Sequence, residues 1–144
     1  MSKGLRRSIK RTIAPLPLEA RVALSSANIL AMFGTPVTLL PAPGAGKTII
    51  VESILFKMTR TSTAYAGGGA VTFKYAGGAS LPSTIAATVV TTGGAGTEYN
   101  HVGDNGASLT PTANAGIQIT NGTAAFTTGT GTADIVIKYR VVAL

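Results

Sequence analysis

A chain of 144 residues is long enough to bury one sizeable core of its own. It has no cysteine, which excludes a disulfide framework, a thiolate metal site and a cysteine nucleophile. With 12% charged residues and 18 glycines, it lacks the Glu, Lys and Arg that cover a helical bundle. The formal net charge of +7 is unevenly placed. Lys3, Arg6, Arg7, Lys10, Arg11 and Arg21 stand against one acid, Glu19. The rest of the chain sets Lys47, Lys57, Arg60, Lys74, Lys138 and Arg140 against Glu52, Glu98, Asp104 and Asp134. The body is therefore close to neutral and the N-terminus is basic.

In chain order, residues 1–17 mix charge with Pro15 and Pro17 and predict an extended arm. The expected division is a basic N-terminal arm over 1–18 and a single β-sandwich domain over 19–144. The stretch "IAPLPLEARVALSSANILAMF" is broken by prolines and charges where a signal peptide needs a continuous apolar core. No apolar run approaches the roughly 20 residues that span a bilayer, so a soluble chain without a membrane partner is expected.

Residues 19–25 alternate as a weak first strand, with Val22 and Leu24 on one face. "SSANILAMFG" (25–34) then changes period. Ser25 or Ser26 can cap a short helix, Ile29, Leu30 and Phe33 share one of its faces, and Gly34 can end it. Strands are predicted at 36–40, 47–60, 70–75, 83–90, 97–102, 116–120, 123–128 and 133–142, with glycine-rich turns at 66–70, 76–80, 92–96 and 103–106. "NG" at 121–122 reads as a hairpin turn between the runs on either side. So many short strands, with no helix after most of them and no repeat at a fixed period, predict an all-β fold. The expected form is an antiparallel β-sandwich or jelly roll with one short helix and an extended basic N-terminal arm.

"PAPGAGKT" (41–48) ends in the Gly46-Lys47-Thr48 of a phosphate-binding loop. The first glycine of that motif would fall at Pro41, which has a fixed φ and no N–H to offer. The β-branched run after Lys47 predicts a strand where the motif needs a helix, so a tight turn is the expectation. His101 stands near Glu98 and Asp104, too few ligands for a typical zinc site. "NGT" (121–123) matches a glycosylation acceptor, and Tyr65, Tyr75, Tyr99 and Tyr139 could stack on bases or sugars. The tyrosines lie on separate segments without a shared basic rim, so packing is expected of them. With five acids in the chain and no credible carboxylate pair, neither catalysis nor a cofactor is expected.

The basic arm is the most specific feature, and Lys3, Arg6, Arg7, Lys10 and Arg11 are its expected partner-binding residues. Leu5, Ile9, Ile13, Leu16 and Leu18 give it apolar groups to bury as well, which favours docking on protein over nucleic acid. The succession "ARVALSSANILAMFGTPVTLLPAPGAGKTIIVESILFKMTRTSTAYAGGGAVTFKYAGG", closed by "GTADIVIKYRVV", resembles a recurrent family of small tailed-bacteriophage structural proteins. The resemblance implies a β-sandwich that assembles on the virion in the host cytoplasm. The implied role is capsid decoration or cementing, with a tail or head–tail connector component as the alternative. The expected partners are further copies of the chain, as a trimer, and the major capsid protein or other virion subunits. A nucleic-acid-binding module using the arm is a further alternative.

Overall fold

The computed structural model describes residues 16–103 and 109–144. The predicted arm residues Lys3, Arg6, Arg7, Lys10 and Arg11, and most of the 103–106 turn, lie outside the described residues. Among the described residues, ten strands and two short helices are formed. They are β1 (Leu18–Leu24), α1 (Ser26–Ala31), β2 (Val37–Leu40), β3 (Lys47–Arg60), β4 (Ala66–Gly67) and β5 (Val71–Tyr75). Then come β6 (Ser80–Ile85), α2 (Ala87–Thr91), β7 (Gly96–Gly103), β8 (Ile117–Asn121), β9 (Phe126–Thr127) and β10 (Thr132–Ala143).

The strands form two four-stranded antiparallel sheets. Sheet A has the order β1-β10-β3-β7 and sheet B the order β2-β8-β5-β6; β4 and β9 make a separate two-stranded ladder. Apart from those two-residue strands, the pairing is nested. The first strand pairs with the last (β1–β10), the second with the second last (β2–β8), the third with the third last (β3–β7), and the middle two with each other (β5–β6).

Alternation explains which faces are buried. In β5, Val71, Phe73 and Tyr75 are buried while Thr72 and Lys74 are not; in β10, Ala133, Ile135 and Ile137 point inward between Asp134, Val136 and Lys138. The inward residues of both sheets join one cluster, with Ile54, Phe56, Met58, Ile135 and Ile137 from sheet A and Leu39, Phe73, Ile85, Ile117 and Ile119 from sheet B. Tyr75 adds a polar tie, its hydroxyl donating to the Ile49 carbonyl across the two sheets at 2.5 Å. In β3 the register skips Glu52, since Lys138 faces Ser53 and Tyr139 faces Val51, which places a bulge midway along this strand.

Helix α1 forms where the period changes. Ser25 Oγ accepts from the Asn28 N–H at 3.2 Å and Asn28 Oδ1 accepts from the Ser25 N–H at 3.0 Å, a reciprocal cap that satisfies otherwise orphaned amides. Ile29 and the C-cap Met32 are then buried.

Three sequence expectations are corrected. The strand predicted at 83–90 splits into the end of β6 and a second helix, α2. Val89 and Val90 are adjacent and both buried, which breaks the alternation of a half-buried strand and suits a helical turn. The 121–122 hairpin does not form: β8 pairs with β2 and β5, not with the segment that follows. Asn121 is buried instead, its Nδ2 donating to the Gly68 and Ala124 carbonyls, and the Gly122 N–H donates to Ala70. The predicted strand at 123–128 shrinks to β9, which pairs with β4 inside a segment read as a turn.

Candidate functional site

The phosphate-loop-like stretch is an internally tied turn. Gly44 and Gly46 take φ of 100° and 69°, in the left-handed region that glycine tolerates. The Gly44 N–H donates to Asn114 Oδ1 at 3.0 Å, the Lys47 N–H to the Gly44 carbonyl at 3.3 Å, and the Thr48 hydroxyl to the Thr112 carbonyl at 3.0 Å. The Asn114 and Leu144 amides return to the Lys47 and Gly46 carbonyls. These donors, which a phosphate cradle would need, are already engaged, and Lys47 opens a 14-residue strand where that cradle would open a helix.

The polar residues around His101 are separated by the pleat of β7. His101 is exposed on the outer face with Tyr99, whereas Glu98 has the opposite parity and meets Arg60 at 2.8 Å. Among the described residues no group of three His, Asp or Glu could hold a metal ion. Asn121 of the "NGT" triplet is buried and hydrogen-bonded, so it is not presented at the surface.

The tyrosines divide by role. Tyr65 is buried and donates to the Gly131 carbonyl at 2.6 Å, edge-on to Phe126 with ring centroids 5.9 Å apart. Burial pushes its hydroxyl up to about 12. Burial also raises Tyr75, with a Thr48 hydrogen bond acting in the opposite direction. Tyr139 is half-buried against the core, and Tyr99 alone stands out, 64% exposed.

Tyr99 belongs to the outer face of sheet A. The strand registers set Arg21, Val136, Leu55 and His101 in one cross-strand row, and Ala23, Asp134, Lys57 and Tyr99 in the next. All of them but His101 line an open depression of about 420 Å³, with Ala23, Leu55 and Val136 as its apolar part. A second hollow, between Leu81, Val51 and Val102, has about 30 Å³, the room of a single water.

The acids of this sheet are neutralised within it, while Lys47 and Lys138 are left in excess. Each of the four acids among the described residues is in an ion pair: Glu19 with Arg21 at 3.0 Å, Asp134 with Lys57 at 3.4 Å, Glu98 with Arg60 at 2.8 Å and Glu52 with Arg140 at 2.6 Å. The rows and pairs bring together residues far apart in sequence, and only Glu19–Arg21, two residues apart, has a local signal.

No protein-family model, curated protein or solved structure matches this chain. Among the described residues no helix is long and apolar enough to cross a membrane.

Proposed function

We propose that this chain is a non-enzymatic virion structural protein of a tailed bacteriophage, a jelly-roll β-sandwich that decorates or cements the capsid. The observation that carries this reading is the nested pairing. Eight main strands paired first-to-last in two four-stranded sheets follow the order of a jelly roll, an architecture common in viral shells. The phage-like sequence succession supports the same assignment.

In this reading the chain self-associates and docks through Lys3, Arg6, Arg7, Lys10 and Arg11. The described acids already hold cations of their own fold, so the arm's charge is matched by an acidic surface on another protein, the major capsid protein being the fitting partner. A tail or connector position uses the same arm on a different virion subunit.

Particle occupancy after deletion of residues 1–17 tests the proposal. The truncated chain should keep its circular dichroism and melting transition and lose binding to capsids lacking the protein. Undiminished occupancy would count against arm docking. Salt-sensitive binding to DNA with no binding to capsids would favour the nucleic-acid alternative.

A further inference from the structure

Among the described residues β1 is hydrogen-bonded on one side only, to β10, and so presents an open strand edge at the margin of sheet A. Leu24 is buried and Ala20 and Val22 pack on the core. Leu18 shares their face by parity but is 49% exposed, and Leu16 just before it is 84% exposed. On the outer face, Glu19 and Arg21 pair only with each other among the described residues, with the Arg21 side chain 77% exposed. An apolar, hydrogen-bonding edge of this kind is a template for another strand.

We propose that the occupant is β1 of a second copy, joined antiparallel across a two-fold axis at Ala20. A two-fold perpendicular to the sheet keeps both core faces on the same side, so each residue must meet one of equal parity. Centring on Ala20 sets Leu18 against Val22, Leu16 against Leu24, and Glu19 against Arg21 of the second copy, with the last pair made twice. Centring on Arg21 or on Glu19 instead would oppose two like charges, and centring on Val22 would set Leu18 against Ser26. The Ala20 register alone among these covers both exposed leucines with apolar partners and both charges with opposite ones. The product is a continuous eight-stranded sheet, β7-β3-β10-β1 followed by its symmetry mate. This two-fold stands in place of the trimer that the sequence reading expects.

The inference rests on the self-association in the proposed function, not on the virion. The chain contains no cysteine, so single cysteines report the seam without background. In the dimer the two Ala20 Cα atoms lie about 4.5–5.5 Å apart, within disulfide range. Under mild oxidation the Ala20→Cys variant should cross-link to a covalent dimer, while Ala23→Cys, set opposite Pro17, should not. Light scattering at about 100 μM should give the wild-type chain twice its 14.5 kDa mass, as expected for a modest seam. Glu19→Arg or Arg21→Glu alone should weaken the dimer about tenfold, and the double swap should restore it. Circular dichroism of each variant reports folding independently. A monomeric wild type overturns both the seam and self-association. An oligomer in which Ala20→Cys fails to cross-link, a trimeric mass, or a folded double swap that stays dissociated overturns the seam and leaves self-association standing.

Discussion

Every acid among the described residues lies on a strand of sheet A, whereas the strands of sheet B carry one charged residue, Lys74. The outer face of sheet B is instead a field of hydroxyls and amides. Thr120, Thr72 and Thr84 form one cross-strand row, and Thr38, Gln118, Lys74 and Ser80 the next. Both sheets supply the same core, so the contrast has nothing to do with holding the fold together. It teaches that this protein meets its surroundings through two chemistries. One face responds to salt and to countercharge, while the other offers short neutral side chains that neither repel nor attract at a distance.

The sharpest way to break the comparison is to attack the shared core from each side. Phe56→Ala on sheet A and Phe73→Ala on sheet B remove rings that are 1% and 0% exposed, and each should cost about 3–5 kcal/mol. Both should lower a single cooperative denaturant midpoint. Two transitions, or one sheet surviving the other, would mean that the sheets are separate folding units.

Alkaline titration probes the tyrosine ties with a smaller effect. The Tyr65 hydroxyl is raised from 10.0 to about 12, and Tyr75 is raised in the same direction. Deprotonation is easier in the unfolded chain, so the Tyr65 contribution is complete below pH 10 and is lost as pH rises from about 10 through about 12, and that of Tyr75 falls in the same direction above pH 10. Thermal melts across that range should show the fall, and Tyr65→Phe with Tyr75→Phe should flatten it. The double variant should also lose roughly 0.5–1.5 kcal/mol per hydrogen bond at neutral pH.

The smallest expected effect lies in the feature that most separates the faces. Lys57→Ala breaks the ion pair with Asp134 between two partly exposed side chains, and should cost less than about 1 kcal/mol. Chemical denaturation at low and high salt should show that loss shrinking as salt rises. Lys74→Ala on sheet B, where no ion pair is formed among the described residues, should show no such salt dependence.

Much of the strand plan was legible because burial and local pattern agreed. The β-branched run 47–60 became β3 over its full length, and Ser25 with Asn28 supplied the cap that starts α1. Failures fell where tertiary demands outvoted local propensity. Val89 and Val90 read as strand residues, yet the passage from sheet B to sheet A needs both side chains in the core, and a single helical turn supplies that. Asn121-Gly122 reads as a turn, but the asparagine amide is spent tying down the glycine loop at 67–69. The surface rows were not legible at all, since register between strands as distant as β1 and β7 is decided by packing and leaves no local trace. The arm residues singled out in the sequence lie beyond the described part of the fold.

Nested pairing also sets a timetable. The β5–β6 hairpin can close as soon as it is made, and every later pair encloses the ones before it, until the two ends of the chain meet as β1 and β10. β10 lies between β1 and β3, so both wait with an open flank until the last strand is synthesised. Completion of sheet A thus waits on β10, and a chain that stops before Thr132 lacks the strand that joins β1 to the rest.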